Sequence, residues 1–322
     1  MSVSWIALVV AALAVAIAVL SLRIERTRGF LASRARWLLS LLGVRGALPA
    51  PAEPPEPAPQ RLLLRAVSAR IVLHEPRATR HPILLAHGWF GFDRIGVPRF
   101  AHDYFRGVPG RLATLGHRVH VARVSPVGSV QTRAAQLARQ VEQLGGGRVN
   151  IIAHSMGGLD ARLAIARLGL DAHVASLTTI GTPHHGTPLA DVAMDYGEWR
   201  RLRRMLAATG FDVDGLFDIS TARMREFNAQ VTDSPRVAYA SVVGVMGARV
   251  PGRNALLAIG HGYLLARSGP NDGLVPAWSQ RWGGSVLEVE ADHWAQVNWF
   301  GGGFDALGFY AQLAEQLAEC GF

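Results

Sequence analysis

The chain has 322 residues, of which 49% are hydrophobic, and a formal net charge of +9. It is long and apolar enough to bury a substantial core, which excludes a disordered chain as the default interpretation. All 33 basic residues are arginines, so chemistry that needs a lysine, such as a Schiff base, is excluded. The arginines are scattered rather than interleaved with aromatic residues, and we therefore expect no nucleic-acid partner. A single cysteine, Cys320, rules out an intramolecular disulfide.

The N-terminal segment 1–22 is predicted to be a transmembrane or signal-anchor helix, because residues 5–22 are uncharged and long enough to cross a bilayer. A cleaved signal peptide is the alternative, although no basic residue precedes the apolar run. Arginines follow the run, and this charge bias favours a cytoplasmic position for the rest of the chain. Residues 30–42 are interpreted either as an interfacial amphipathic helix or as a simple stem.

Residues 49–59 contain six prolines and no large apolar side chain, so they are predicted to form an extended spacer. Residues 23–60 thus make a basic juxtamembrane segment and linker, and residues 61–322 make one catalytic domain. In that domain, strand patterns alternate with helical patterns. The strands are expected at residues 82–88, 117–124, 148–155, 174–182, 237–245 and 285–293, and helices at 132–144 and 158–169. This alternation predicts an α/β fold with a mostly parallel sheet.

Ser155 stands between an apolar strand pattern and a helical pattern, the context of a nucleophile elbow. Ala153 and Gly157 lie two positions before and after it, where the strand and helix backbones must approach closely. Glycine is usual at both positions, and Ala153 is a mild departure because one methyl group can fit. We therefore predict that Ser155 is a nucleophile and that the helix start at Met156 favours an oxyanion.

A second oxyanion donor is expected in the loop after residues 82–88. Gly88 lets the chain turn there, so that the backbone N–H of Trp89 can point to the same place as that of Met156. His87 is interpreted as a structural histidine that fixes this loop, and not as the catalytic base.

The base and its orienting acid are expected later in the chain, in the order Asp then His. Asp272 lies in a turn, and His293 follows an intervening strand pattern. This arrangement predicts that Asp272 orients the imidazole of His293, which accepts the proton of the nucleophile. The alternatives are Asp292, adjacent to the base, and His261, which we place in a glycine-flanked loop.

The chain resembles the true bacterial lipases typified by the Pseudomonas and Burkholderia triacylglycerol lipases. The resemblance rests on PILLAHGWFGFD, AHSMGGLDAR, TIGTPHHGTPLAD, NDGLVP and DHWAQVN, which follow one another between residues 82 and 298. Its AHSMG segment is also similar to the small Bacillus lipases. The resemblance implies an α/β-hydrolase fold, carboxylic-ester substrates and a triad of Ser155, Asp272 and His293. It also implies Trp89 and Met156 as oxyanion donors.

Two features depart from that family. The larger lipases bind a structural calcium through an acidic residue two positions after the histidine, where this chain has Ala295, and residues 253–270 contain no acidic residue. We therefore predict no cofactor and no metal. The family's disulfide is also impossible here.

A lid is predicted at about residues 190–230, centred on residues 195–210. Trp199, Leu202, Met205 and Leu206 lie there at helical spacing. This helix either covers the acyl pocket and opens at lipid surfaces or simply packs one face on the core.

The predicted activity is serine carboxylic-ester hydrolysis through an acyl-enzyme, on acyl-glycerols or similar lipid-like esters. Short-chain or polyester hydrolysis and acyl transfer are alternatives on the same triad, and a peptidase or thioesterase shares the machinery. A non-catalytic, membrane-tethered binding protein is the competing class. The expected partners are the ester substrate and a membrane, and the sequence does not set the oligomeric state.

Overall fold

The computed structural model describes residues 77–90, 94–95, 102–195, 204, 212, 214–247, 255–299 and 303–322. All of these residues lie in a unit that extends from Ala50 to Phe322. The described strands are Ile83–Ala86 (β1), Arg94–Ile95 (β2), His102–Asp103 (β3), Val119–Val121 (β4), Val149–His154 (β5), Val174–Ile180 (β6), Ala238–Val245 (β7) and Ser285–Glu290 (β8).

Six of these strands form one parallel sheet in the order β4-β1-β5-β6-β7-β8. Strands β1, β5 and β6 are buried along their whole length, as expected for central parallel strands with both faces covered. The edge strand β8 instead alternates between buried and exposed residues over its first half. Strands β2 and β3 form a separate antiparallel pair.

The described helices are Val108–Thr114 (α1), Val130–Gln143 (α2), Gly157–Arg167 (α3), Pro188–Asp195 (α4), Gly215–Asp218 (α5), Thr221–Gln230 (α6), Ala255–Ser268 (α7), Ala277–Gln280 (α8) and Ala306–Glu319 (α9). Helices α1 and α9 cover one face of the sheet, and α2 and α3 cover the other. Alternate strand residues contribute to the two cores: Ile152 packs on the α1/α9 side, and Ile151 packs on the α2/α3 side.

The predicted parallel sheet and the six predicted strands of that sheet are confirmed, with shorter strands than the sequence patterns indicated. Residues 117–124 contain only β4, and residues 291–293 lie beyond the end of β8, with a turn that begins at His293. The prediction that His261 lies in a loop is wrong, since it lies within α7. Within the described part of the chain, no helix is both long and apolar enough to cross a membrane. The span predicted at residues 5–22 and the linker at 49–59 lie outside that part.

Candidate active site

The turn between β5 and α3 holds Ser155 in a left-handed conformation, with φ of 55°. This region of backbone space is unfavourable for a residue with a side chain, and it persists only when the surroundings fix it. Here the Ser155 N–H donates to the Ile180 carbonyl (2.8 Å), and the Thr182 hydroxyl donates to the Ser155 carbonyl (2.7 Å). The serine is partly exposed, so its hydroxyl is presented at the carboxyl edge of the sheet.

Close backbone approach explains the small residues around Ser155. A Cβ atom on Gly157 would lie 2.6 Å from the Ala86 carbonyl oxygen, and one on Gly158 would collide with Thr182. By contrast, Ala153 is fully buried in the core on the α2/α3 side, where its methyl group is accommodated. The alanine that departs from the usual pentapeptide therefore sits on the roomier side of the elbow.

The structure brings Ser155, His293 and Asp272 together in hydrogen-bonding order. His293 Nε2 lies 3.0 Å from Ser155 Oγ, and His293 Nδ1 lies 2.7 Å from Asp272 Oδ2. Both His293 and Asp272 are buried. The backbone also couples the two loops, because the His293 N–H donates to the Asp272 carbonyl (2.9 Å). These contacts give a nucleophile, a base and an orienting carboxylate within direct reach of one another.

The turn after α7 fixes the Asp272 carboxylate on its other side. Asp272 Oδ1 accepts hydrogen bonds from the backbone N–H groups of Leu274 (3.0 Å) and Val275 (2.7 Å). These donors leave Oδ2 facing His293.

Trp89 and Met156 both lie next to Ser155. Met156 directly follows the serine, and Trp89 follows Gly88, whose backbone passes so close that an added Cβ would lie 2.6 Å from Ser155 Cβ. The loop is also tied down at Phe90, whose N–H donates to the Pro126 carbonyl (2.7 Å). The loop and the helix start that are predicted to supply the oxyanion donors thus both adjoin Ser155.

His87 is fully buried, and its Nδ1 contacts the Gly88 carbonyl oxygen at 3.0 Å. Burial, reinforced by the positive charge of Arg133, lowers the pKa of His87 to about 3. The ring therefore stays neutral at physiological pH, and the contact with Gly88 is consistent with a structural role.

A buried ion pair braces the loop against the nucleophile helix. Arg133, on α2, donates from Nε to Asp160 on α3 (2.9 Å), from Nη2 to the His87 carbonyl (2.6 Å) and from Nη1 to the Ser125 carbonyl (2.5 Å). Burial raises the pKa of Asp160 to about 6 in spite of the neighbouring arginine. The arginine thus joins the two loops and the helix that surround the candidate oxyanion site.

The two alternatives considered for the triad have other contacts. Asp292 Oδ1 accepts hydrogen bonds from the backbone N–H groups of Trp294 (2.9 Å) and Ala295 (2.8 Å). His261 Nδ1 contacts Asn271 Oδ1 at 2.9 Å. Neither contact involves Ser155, so the geometry favours the pairing of Asp272 with His293.

The predicted lid helix at 195–210 falls almost entirely outside the described residues. The chain re-enters the described part at Asp212, whose Oδ2 accepts hydrogen bonds from the Ser129 N–H (2.9 Å), the Ser129 hydroxyl (2.7 Å) and the Thr132 hydroxyl (2.6 Å). Asp212, which lies within the lid region predicted at about residues 190–230, is therefore anchored at the start of α2.

No group of three or more His, Cys, Asp or Glu side chains that could hold a metal occurs among the residues with described positions. At Ala295, where the larger lipases have an acidic calcium ligand, the side chain is a buried methyl group. The residues present here thus do not fit that calcium site.

Sequence reasoning missed three polar residues that lie behind the triad: Tyr104, His154 and Gln296. His154 and Gln296 are fully buried, and Tyr104 is 7% exposed. His154 directly precedes the nucleophile, and Gln296 follows the base by three positions, so both stood inside motifs that the sequence made visible. The sequence offers one signal for these two residues, which is their position beside the predicted nucleophile and the predicted base. Their contacts could not be predicted, because each contact joins residues of different motifs.

Known proteins resemble this chain in sequence and in fold. The sequence profile of the alpha/beta hydrolase fold family matches residues 81–237. The chain is 28% identical over 309 residues to triacylglycerol lipase 2 of Saccharomyces cerevisiae, covering 76% of this chain and 93% of that protein. It is 43% identical over 117 residues to the triacylglycerol lipase of Pseudomonas fragi, covering 35% of this chain and 38% of that protein. The match thus spans less than half of the length of this bacterial relative.

A solved structure shows the same fold. The Staphylococcus hyicus lipase superposes with a TM-score of 0.60 at 19% identity, covering 77% of this chain and 97% of that one. The fold is that of the α/β-hydrolases, and a serine, a histidine and an aspartate lie in hydrogen-bonding order at the site. The similarity of the chain to triacylglycerol lipases supports a carboxylic-ester hydrolase of the lipase or esterase type.

Proposed function

We propose that the protein hydrolyses lipid-like carboxylic esters through an acyl-enzyme formed on Ser155. The observation that carries the proposal is the continuous contact from Ser155 Oγ to His293 Nε2 (3.0 Å) and from His293 Nδ1 to Asp272 Oδ2 (2.7 Å). The ester class is supported by the names of the relatives, several of which are triacylglycerol lipases.

In the first half of the cycle, Ser155 Oγ attacks the ester carbonyl carbon while its proton passes to His293 Nε2. Asp272 stabilises the imidazolium that forms. The backbone N–H groups of Trp89 and Met156 donate to the carbonyl oxygen as it becomes an oxyanion. When the tetrahedral intermediate collapses, the alcohol leaves with the proton from His293.

In the second half, a water molecule gives a proton to His293 and attacks the acyl carbon. Collapse of that intermediate breaks the bond to Ser155 Oγ, which takes the proton back from His293. The fatty acid leaves and the enzyme returns to its starting state, so that one water is consumed for each ester cleaved.

The substitution Ser155→Ala tests the proposal directly. We expect it to lower kcat on a p-nitrophenyl ester by a factor on the order of 10⁴ or more, with an unchanged circular dichroism spectrum. A variant that keeps its activity would remove the serine from the mechanism. Profiling acyl chains from four to sixteen carbons then separates a lipase from a short-chain esterase, and we expect the longer chains to be preferred.

We also propose that hydrolysis needs no calcium, because Ala295 stands in the position of the acidic ligand of the larger lipases. Activity should survive dialysis against EDTA. A loss that added calcium restores would contradict this proposal.

We further propose that the uncharged residues 5–22 anchor the enzyme in a membrane, with the catalytic domain on the side favoured by the basic flank, the cytoplasm. The full chain should sediment with membranes, whereas a variant without residues 1–60 should not. Equal sedimentation of the two would argue against the anchor.

A further inference from the structure

A second chain of hydrogen bonds leaves Asp272 Oδ2, the same carboxylate oxygen that contacts His293. Gln296 Nε2 donates to Asp272 Oδ2 (3.2 Å), and Gln296 Oε1 lies 3.2 Å from His154 Nε2. His154 Nδ1 lies 2.7 Å from the hydroxyl oxygen of Tyr104. This chain lies entirely in the protein interior and contains none of the residues assigned to the reaction.

Only one assignment of protons satisfies every contact in the chain. Because the Asp272 carboxylate only accepts, the amide N–H of Gln296 faces it, and the amide oxygen faces His154. His154 must then carry its proton on Nε2, and its Nδ1 accepts from the Tyr104 hydroxyl. Burial, together with the nearby His293, lowers the pKa of His154 well below its usual value, so that the ring stays in this neutral form.

Two glycines at the ends of neighbouring strands make room for the Gln296 amide. A Cβ atom on Gly181, which follows β6, would collide with the amide oxygen of Gln296, and one on Gly244 in β7 would collide with its amide nitrogen. The added atom on Gly181 would also lie 3.2 Å from Asp272 Oδ2. The amide therefore occupies a space that a larger residue at either of these two positions would fill.

The chain ends beside the nucleophile from which the triad begins. A Cβ atom placed on Gly88 would lie 3.0 Å both from the Tyr104 hydroxyl oxygen and from Ser155 Oγ. Together, the triad and the second chain lead from Ser155 through Asp272 and back to the loop that contains Gly88.

We propose that Gln296, His154 and Tyr104 are positioning residues that hold the Asp272 carboxylate in the orientation that serves His293. They act through Asp272 and do not touch the substrate. This inference rests on the proposed hydrolysis for its kinetic test, but the proton assignment on His154 is independent of any activity. A water-filled gap behind Asp272 would not fix the carboxylate in this way, because water can reorient.

The substitution Gln296→Met keeps the length of the side chain and removes both hydrogen bonds. We expect kcat for a soluble ester to fall about tenfold, the factor that one hydrogen bond to a charged group provides, with KM nearly unchanged. The acidic limb of the kcat/KM profile should move to higher pH. With one hydrogen-bond donor fewer, the Asp272 carboxylate attracts the protonated imidazole of His293 more strongly. The substitution Tyr104→Phe should lower kcat about two- to tenfold.

A double variant shows whether the residues act as one chain. Tyr104 and Gln296 are connected through His154, so the kcat of Y104F/Q296M should match that of Q296M alone. The matched control is Tyr310→Phe, since Tyr310 is also a buried tyrosine and its hydroxyl has no hydrogen-bond partner among the described atoms. We expect that control to keep wild-type kcat. If Q296M gives no folded protein, the kcat of Y104F and the pH dependence of its kcat/KM test the proposal instead.

Nitrogen NMR of histidine-labelled wild-type protein should show His154 with its proton on Nε2 throughout the pH range of the activity profile. A proton on Nδ1 would overturn the proposal, whether or not the protein cleaves esters. An unchanged kcat and acidic limb in Q296M or Y104F, or additive effects in the double variant, would overturn it as well. Failure of the hydrolysis itself is recognised separately, because the wild-type protein would then be inactive and Ser155→Ala would change nothing.

Discussion

The two halves of the candidate active site are held in different ways. In the elbow half, Ser155, Met156 and the loop 87–89 are placed mainly by the backbone, through a left-handed serine and glycines that permit close approach. In the acid half, Asp272 and His293 are placed by side-chain hydrogen bonds, with four N–H groups directed at one carboxylate. Substitutions in the elbow half should therefore act by steric clash and lower the stability of the fold. Substitutions in the acid half should instead lower kcat.

The largest effect on turnover is expected for Asp272→Asn in the acid half. All four groups that contact the carboxylate are donors, so the amide N–H₂ of an asparagine must face at least one of them. We expect kcat to fall by a factor on the order of 10⁴, while the urea midpoint changes little. Steady-state kinetics and urea titration on the same protein check the two parts.

The neighbouring carboxylate provides the control for this substitution. Asp292→Asn keeps an oxygen that can accept from the N–H groups of Trp294 and Ala295, so its kcat should remain close to wild type. A loss in Asp292→Asn as large as that in Asp272→Asn would mean that the acid has been assigned to the wrong residue.

Arg133 is a side chain that stabilises the elbow half, which is otherwise placed mainly by the backbone. Arg133→Met leaves the Asp160 carboxylate buried without its cation, which should cost about 3–5 kcal/mol in the free energy of unfolding. Adding Asp160→Leu should recover most of that loss. Arg281→Met breaks an ion pair of the same length with Glu288 in which both side chains are about half exposed, and it should cost at most about 0.5 kcal/mol. Equal losses for the two arginine variants would contradict the role of burial.

Gly157→Ala tests whether the elbow half depends on close approach. Its methyl group would lie 2.6 Å from the Ala86 carbonyl oxygen and 2.7 Å from that of His87, and we expect a loss of about 2–3 kcal/mol in unfolding free energy. Gly110→Ala on α1 has nothing within 4 Å of the new methyl group, and it should stabilise the protein by up to about 1 kcal/mol. A stable and active Gly157→Ala would show that the elbow tolerates crowding.

The smallest expected effect is the pH dependence of the unfolding free energy, to which buried groups in both halves of the site contribute. Burial lowers the pKa of His87 to about 3 and those of His154 and His184 well below the ordinary 6.5. The unfolded chain binds protons near pH 6.5 that these folded rings do not, so their stability contribution is present above that pH and is lost as the pH falls. Asp160, whose pKa is raised to about 6, acts in the opposite direction, because the folded chain binds a proton there that the unfolded chain does not. Below that pH it offsets the effect of about one of these histidines.

The net expectation is a loss of about 1–2 kcal/mol in unfolding free energy between about pH 7 and about pH 6. Urea unfolding at the two pH values measures it directly. A protein that gains stability on acidification over this interval would show that these histidines are not held neutral.

The elbow half could be predicted from the sequence because its determinants are consecutive. A strand pattern, a serine between small residues and a helix pattern specify Ser155, Gly157 and Met156 without knowledge of the rest of the fold. The parallel sheet could be predicted for the same reason, since its strands are buried apolar runs separated by helices. The order of Asp272 and His293 along the chain then indicated the other half.

The positioning residues could not be predicted, because Tyr104 and Gln296 are far apart in the chain and meet only through His154. The helix α7 was also missed, since Gly260 beside His261 indicated a loop. The structure supplies the reason for that glycine: a Cβ atom on Gly260 would collide with the Gly273 carbonyl oxygen. The glycine lets α7 approach the Asp272 turn, a tertiary contact that outweighs the low helix propensity of glycine.

The most direct test of the account is the mass of the protein after treatment with a fluorophosphonate and, separately, after rapid quenching during ester turnover. We expect one covalent adduct per chain, on Ser155, in both samples and none in Ser155→Ala. Continued ester hydrolysis with no adduct, or an adduct on another residue, would contradict it.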